Sequence, residues 1–245
     1  MALRALRTIT NALLPPLCGC CREPIAGENM LCAACWKELS FFHSPWCRRC
    51  GLPFAYDLQG REYCEECSQE AAPMFDMSRS VAAYQDGART LVLKLKHTDA
   101  TYLAPLMASL MQHLIKDFEE ISYVLPVPLH WRRLLRRRYN QSALLAYYLA
   151  RGAQLPYAPL FLKRHRATPT QGGRSAQERR DNMKNAFSTT KKGDSALSGK
   201  NILLVDDVWT TGATLASCAK NLRKAGAARV YTLTFARVLK GGVYQ

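Results

Sequence analysis

The 245-residue sequence lacks a long hydrophobic run. No stretch approaches the roughly 18 consecutive apolar residues of a membrane-spanning helix. Near the N-terminus, Leu3, Leu6, Ile9 and Leu13 recur at near-helical spacing, but polar residues interrupt any signal-peptide core. We therefore expect a cytoplasmic protein without stable membrane insertion. The first residues are then either a short helix docked on its own protein or a helix lying on a membrane surface.

Acidic residues are scarce in one part of the chain. The formal net charge is +15, yet residues 1–70 are nearly balanced, with 7 basic and 8 acidic residues. Residues 130–192 hold 15 basic residues and only 2 acidic ones. So concentrated a positive field attracts phosphates, either of a nucleotide-like ligand or of a nucleic acid. The alternative is a basic face that is merely solvated.

Cysteine, in contrast, is plentiful near the N-terminus. Eight of the ten cysteines form four CxxC pairs, namely Cys18/Cys21, Cys32/Cys35, Cys47/Cys50 and Cys64/Cys67. A CxxC turn aims two thiolates at one tetrahedral metal, so four pairs predict two zinc ions. A disulfide framework is the alternative, and the missing secretory signal disfavours it. We favour sequential pairing of the CxxC turns over an interleaved arrangement, which stays open. Metal ligation would supply the folding energy of this small region.

The remaining sequence alternates between strand and helix patterns. We assign residues 1–70 to an N-terminal helix and a zinc-ribbon domain, 71–245 to a second domain, and about 68–80 to a linker between them. The second domain is predicted to contain helices at 103–115, 140–150 and 215–224, and strands at 123–128, 202–205 and 231–238. This order is typical of a mostly parallel sheet with helices on both faces. Its ligand site should lie beyond the carboxyl ends of the strands.

The segment LLVDDVWTTGAT, residues 203–214, places Asp206 and Asp207 at such a strand end. The loop that follows runs into a helix N-terminus, where backbone N–H groups and the helix dipole favour an anion. Its residues are Thr210, Thr211, Gly212, Ala213 and Thr214. A sugar phosphate suits both parts, with hydroxyls on the acids and phosphate on the loop, and Mg²⁺ would screen the carboxylates. The alternative is a helix N-cap beside two acids that are salt-bridged within the protein.

Residues 202–214 resemble the 5-phosphoribosyl-1-pyrophosphate (PRPP) motif of type I phosphoribosyltransferases, with Trp209 in place of a smaller aliphatic residue. The whole chain resembles the ComF family, competence protein F and its relatives. That family joins a double zinc ribbon to a type I phosphoribosyltransferase domain, an α/β fold. Further segments that match the family are LPVPLHWRRLLRRRYNQ at 125–141, RHRATPTQ at 164–171, and residues 174–187. Where the family has RGFNQ, this chain has Arg138 in place of the glycine.

The resemblance implies a role for each matching residue. Asp206 and Asp207 would contact the ribose hydroxyls and serve catalysis, and residues 210–214 would hold the 5′-phosphate. The loop at 129–132, with His130 and Arg132, would bind the pyrophosphate. A mobile, arginine-bearing loop would supply further ligand contacts from Arg164, Arg166, Gln171 and Arg179. No residue stands out as a general base, although His97 and His130 are available.

Three functions are compatible with these features. The first is an active phosphoribosyltransferase that uses PRPP. The second is a protein that handles internalised single-stranded DNA in natural transformation, and the third is a catalytically inactive regulatory module of the same fold. The resemblance favours PRPP and Mg²⁺ binding together with a role in transformation, with the DNA-uptake machinery as partner. Arginines interleaved with aromatics are typical of single-strand binding. The candidate nucleic-acid contacts are Arg132, Arg133, Arg136 and Arg137. Whether the ligand is turned over stays open.

Overall fold

A computed structural model describes residues 15–27, 30–54, 60, 62–69, 75–165 and 186–239. Its centre is a four-stranded, all-parallel sheet in the order β1–β6–β5–β2. β3 and β4 form a separate antiparallel pair. The strands are β1 (Met77–Ala83), β2 (Tyr123–Pro126), β3 (Leu162–Arg164), β4 (Phe187–Thr189), β5 (Asn201–Trp209) and β6 (Arg229–Arg237).

Eight α-helices and one 3₁₀ turn accompany the strands in the described part of the chain. The first two lie in the cysteine-rich region. The helices are α1 (Ala33–Lys37), α2 (Glu65–Gln69), α3 (Asp86–His97), α4 (Leu103–Gln112), α5 (Trp131–Arg137), α6 (Gln141–Gly152), α7 (Lys191–Ala196) and α8 (Ala213–Lys224), and the 3₁₀ turn is Ile115–Asp117. None of them has the length and apolarity needed to cross a bilayer.

The alternation of side chains along β5 divides the core into two layers. Leu203 and Val205 pack with α3, α4 and α6 on one face of the sheet. Ile202 and Leu204 point to the other face and pack with α8 and the β3–β4 pair. Successive residues of a strand face opposite sides, so a continuous apolar run here means burial on both faces. The prediction of a parallel sheet with helices on both faces is confirmed.

The predicted elements differ from the observed ones in two respects. The predicted helices and strands all exist, with bounds shifted by a few residues, and Gly226 has the positive φ of +88° expected just beyond a helix end. The linker at 68–80 is wrong in its last part, because Met77–Ala83 forms β1. The predicted loop at 129–132 ends at His130, because α5 begins at Trp131.

The cysteine-rich region docks along the free edge of β1. Phe42 N–H donates to Val81 O and Ala83 N–H donates to Ser40 O, each at 2.9 Å, so residues 40–42 run antiparallel to that strand. A buried ion pair ties the same strand to the 3₁₀ turn, with Arg79 Nε 2.7 Å from Asp117 Oδ2. Arg79 Nη1 also donates to Arg48 O at 3.1 Å. The zinc-binding region therefore packs directly on the sheet.

Candidate functional site

Each half of the cysteine-rich region brings four thiols together. In both sets the sulfur atoms all lie within 4.8 Å of one another. The first set is Cys18, Cys21, Cys32 and Cys35, and the second is Cys47, Cys50, Cys64 and Cys67. Sequential pairing of the CxxC turns is therefore confirmed, and the interleaved arrangement is excluded.

The spacing of the sulfurs suits zinc. Sγ of Cys21 lies 3.6 Å from that of Cys32, and Sγ of Cys50 lies 3.7 Å from that of Cys64. Zn–S bonds of about 2.3 Å in a tetrahedron place sulfurs about 3.8 Å apart, whereas a disulfide would hold them at about 2.05 Å. All ten cysteines are free thiols. The disulfide alternative is therefore wrong, and the two sets fit two zinc ions.

One cysteine in each set is favoured in the thiolate form, which is the form that binds metal, while the pKa values of Cys21, Cys35, Cys50 and Cys67 are raised. Burial raises the pKa of Cys18, but hydrogen bonds from the backbone N–H groups of Cys32, Cys21 and Cys20 outweigh burial. Together these effects bring the pKa down to about 6. In the second set, a hydrogen bond from the Cys50 thiol lowers the pKa of Cys47 to about 4. Both sets thus hold at least one sulfur that ionises easily.

Asp206 and Asp207 form the centre of the second candidate site, at the carboxyl end of β5. Ser142 Oγ, in the first turn of α6, donates to Asp206 Oδ1 at 2.7 Å. Lys96 Nζ, near the end of α3, lies 3.0 Å from Asp207 Oδ2. The structure therefore supports part of the alternative interpretation, because each acid already has a partner within the protein.

Asn140 explains how Ser142 reaches the acids. Its Oδ1 accepts from Ser142 N–H at 3.1 Å and caps α6, while its Nδ2 donates to Val127 O at 3.0 Å. Just before it, Arg138 has a φ of +64° at the end of α5. The left-handed backbone that a glycine would provide is thus kept by an arginine. The RRYNQ segment therefore connects α5 to the first turn of α6, and the Asn140 side chain ties it to Val127, just after β2.

The two aspartates differ in their electrostatic surroundings. Burial raises the pKa of Asp206 to about 7, and the charge of Asp207 raises it as well, against the lowering by Ser142 and Lys96. A carboxyl group of this kind is half protonated near neutral pH. Perturbed acids are frequent at functional sites because sites combine burial with like charges.

The loop after β5 has the geometry expected for an anion site. Gly212 precedes α8 with a φ of +75°, and no side chain caps the helix. The first backbone N–H groups of a helix have no partner within the helix, and here only a long 3.5 Å contact joins Ala213 N to Thr211 Oγ1. Thr210 is exposed, whereas Thr211, Ala213 and Thr214 are partly buried.

Positive side chains surround the acids. Burial lowers the pKa of Arg133 to about 10, and Arg164, Arg137 and Arg136 lower it further, so these arginines lie within electrostatic reach of one another. Burial also lowers the pKa of Arg164, against the charges of Cys218 and Asp206. The cluster therefore extends to the acids.

The two candidate bases are differently placed. Burial lowers the pKa of His97, as do the nearby charges of Arg137, Lys96 and Arg136. His130 is buried, and its Nδ1 accepts from Arg132 N–H at 3.2 Å. His130 therefore serves as the N-cap of α5, and one of its ring nitrogens is already engaged.

Helix α5 presents its arginines in two directions. Arg132 and Arg136 are exposed, whereas Arg133 and Arg137 are partly buried. The exposed side also carries Trp131, 56% accessible, with the Arg132 guanidinium 5.3 Å from its ring centroid. The four predicted nucleic-acid contacts therefore fall into two pairs.

Some residues of the site are not predicted from the sequence, and some predicted ones lie outside the described part of the chain. Arg166, Gln171 and Arg179 lie outside the described residues. Sequence analysis does not predict Ser142, although its place just after the Asn-Gln of a family segment could suggest it. It does not predict a contact between Lys96 and the acids either.

Two family models match the chain, one in each half. The double zinc ribbon domain matches residues 9–68, and the phosphoribosyl transferase domain matches residues 140–243. A solved structure of glutamine PRPP amidotransferase from B. subtilis is 19% identical, with a TM-score of 0.40 over 58% of this chain and 30% of that one. That likeness is too distant to bear on function.

Relatives extend over nearly the whole chain. Competence protein F of Haemophilus influenzae is 32% identical over 216 residues, which are 86% of this chain and 91% of that protein. DNA utilization protein YhgH of Salmonella typhimurium is 34% identical over 233 residues, 92% of this chain and 99% of that protein. With two four-cysteine sites in front of a parallel α/β domain, the chain belongs to the family of competence protein F and YhgH, which joins a double zinc ribbon to a phosphoribosyltransferase fold.

Proposed function

We propose that this protein binds PRPP together with Mg²⁺ at the carboxyl edge of the sheet. The observation that carries the proposal is the pair Asp206–Asp207 directly before a left-handed glycine and the uncapped N-terminus of α8. Acids and an anion cradle occur side by side when one ligand carries both hydroxyls and a phosphate. A phosphoribosyl group meets this requirement.

The residues of the site would divide the ligand between them. The ribose hydroxyls would donate to Asp206 and Asp207, and the 5′-phosphate would accept from the backbone at 211–214. The diphosphate would face the positive cluster that contains Arg133 and Arg164. Mg²⁺ prefers carboxylate and phosphate oxygens, which this site and this ligand provide together. The acids fit such an ion, which would screen the repulsion between them.

The site is built for positioning and for stabilising negative charge. Departure of a diphosphate from a sugar needs cations more than it needs a strong base. The lowered pKa of His97 makes it a weaker base, and one ring nitrogen of His130 is already engaged in capping α5. We therefore propose ligand binding as the primary activity, and turnover would require an acceptor that brings its own nucleophile.

Calorimetric titration of PRPP with Mg²⁺ tests this proposal. The double variant Asp206→Asn/Asp207→Asn should lose binding, while Glu119→Gln serves as the control. Glu119 is an exposed carboxylate paired with Arg229, at the amino end of β6 and therefore far from the site. Equal affinity of the wild type and the double variant would refute the assignment.

A second candidate function, handling of single-stranded DNA, is favoured by the outer side of α5. Trp131 and Leu135 are 56% and 73% accessible there, next to the exposed Arg132 and Arg136. Aromatic side chains stack on bases and arginines follow the phosphates. Two relatives bear names that refer to competence and DNA utilization. We place this role in the cytoplasm, next to the DNA-uptake machinery.

The two arginine pairs of α5 allow the functions to be separated. Arg132→Glu/Arg136→Glu should weaken binding of a labelled oligo(dT) by orders of magnitude at low salt and reduce its salt dependence. Arg133→Met/Arg137→Met should weaken PRPP binding and leave the exposed pair for DNA in place, whereas the first variant also removes Arg132, a candidate pyrophosphate contact, and should weaken PRPP binding too. Lys191→Glu/Lys192→Glu, an exposed pair on α7, is the matched charge control. Unchanged DNA binding in the first variant would reject the DNA surface.

A further inference from the structure

The second zinc-binding set lies against the backbone of the sheet. Its CxxC turn ends at Gly51, whose φ is +66°, and a Cβ there would lie 2.6 Å from Ser78 O. Ser78 N–H donates to Arg49 O at 2.6 Å. This close approach fixes the turn next to the first residues of β1.

Arg237 connects that turn to the end of β5. Its Nη1 donates to Cys50 O at 2.6 Å, and the residue is only 7% accessible. Its guanidinium lies 4.2 Å from the centroid of the Trp209 ring, and the two residues are register partners in β5 and β6. The Trp209 ring also packs edge-on to Phe75, at 5.2 Å between centroids, and against the second cysteine set.

Trp209 also touches the proposed phosphate loop. A Cβ at Gly212 would lie 2.9 Å from Trp209 Nε1 and 3.2 Å from its Cε2. The indole therefore lies directly on the residue whose left-handed backbone turns the chain into α8. One unbroken series of contacts leads from Cys50 through Arg237 and Trp209 to Gly212.

We propose that Trp209 and Arg237 are positioning residues through which the second zinc site holds the 210–214 loop in its ligand-binding conformation. This inference rests on the proposed PRPP site. The loop has no side-chain cap, so its shape depends on the indole beneath it. Because coupling between two binding sites is reciprocal, bound ligand also retains zinc in the second site and leaves the first site unaffected.

Substitutions at Trp209 test the contact with the loop. Trp209→Ala should weaken binding of PRPP with Mg²⁺ by about 10-fold or more while both zinc ions remain bound, because small displacements of a binding group are costly. Trp209→Phe keeps an aromatic ring and should restore most of the affinity. Wild-type affinity in Trp209→Ala would overturn the inference.

Competition for zinc at equilibrium tests the same coupling in protein with an intact loop. The variant Cys21→Ser disables the first site, so the equilibrium partition of zinc between the protein and a chromogenic chelator reports on the second site. Saturating PRPP with Mg²⁺ should raise the zinc affinity of the second site several-fold, and in Cys64→Ser it should leave the zinc affinity of the first site unchanged. A zinc affinity of the second site that does not respond to the ligand would contradict the coupling.

If the wild type binds no PRPP, the proposed function is rejected. The effect of Arg237 and Trp209 on the loop can then still be tested without a ligand. Amide hydrogen exchange at residues 210–216 should then be faster in Arg237→Met than in the wild type, with the zinc content unchanged. Faster exchange supports the series of contacts without any ligand. Equal exchange in the two proteins overturns it.

Discussion

Replacing Asp206 by asparagine should stabilise the unliganded protein. The carboxyl group is half-buried at the end of β5, accepts from Ser142 Oγ and Asp207 N–H, and lies next to a second acid. An asparagine has the same shape, and its Oδ1 can accept the same two hydrogen bonds. The substitution therefore removes the charge and leaves the geometry in place.

The size and sign of the effect follow from the pKa of this group. Burial, and then the charge of Asp207, raise the pKa of Asp206 from 3.8 to about 7. An acid that holds its proton more tightly when folded makes stability fall as the pH rises from about 4 to about 7, after which the loss is constant. At about 1.4 kcal/mol for each unit of pKa, the wild type loses about 4 kcal/mol by pH 8.

Urea unfolding at several pH values, followed by circular dichroism, measures this difference. Asp206→Asn should be more stable than the wild type at pH 8, and the two curves should converge as the pH falls toward about 4. Other titrating groups, including the zinc thiolates, cancel in the comparison because both proteins share them. A difference that does not change with pH, or a variant less stable at pH 8, would refute the reasoning.

Three further predictions concern other contacts. If PRPP with Mg²⁺ binds ionised Asp206, binding at pH 7 should release about half a proton, seen as a dependence of the calorimetric heat on the buffer, and almost none at pH 9. Lys96→Met should lower the free energy of unfolding by about 2–3 kcal/mol, because it leaves Asp207 unpaired. Millimolar Mg²⁺ should then raise the melting temperature of Lys96→Met by more than it raises that of the control variant Lys220→Met. Gly51→Ala should cost at least about 2 kcal/mol, because a left-handed alanine would strike Ser78 O, with both zinc ions retained. An unchanged melting temperature in the last variant would contradict the close packing of the turn.

The parts of the fold that sequence predicts are those specified locally. The helix over 140–150 shows its apolar period and its asparagine cap in the sequence, and both occur in α6. The polar residues Ser78, Arg79 and Ser80 make the start of β1 resemble a linker in sequence, yet all three are buried. Their burial depends on distant partners, such as Thr234 Oγ1 at 2.7 Å from Ser80 Oγ. Hydropathy along the chain carries no sign of such a partner.

The same limit applies to the candidate site. The VDD and TTGAT residues are recognisable because they are neighbours in sequence, and the cysteine pairs are recognisable by spacing. Ser142 and Lys96 reach the acids from two separate helices, so only the packing of those helices shows their roles. The two directions of α5 likewise require knowledge of which side faces the sheet. A run of arginines in sequence does not distinguish them.

The two adjacent acids are not equivalent, and this asymmetry bears on how a cation would enter the site. Lys96 already neutralises Asp207 at 3.0 Å, whereas Asp206 has a neutral hydroxyl as its partner. A divalent ion near Asp207 must compete with an ammonium group, but near Asp206 it meets a carboxyl group that gives up its proton near neutral pH. Burial of the ionised Asp206 lowers the stability of the unliganded protein. A cation bound with the ligand would offset this loss, because it would stabilise the ionised carboxylate. In the proposed site, stability and ligand affinity are therefore opposed at this one residue, and a substitution that strengthens the fold there would remove a group proposed to bind the ligand.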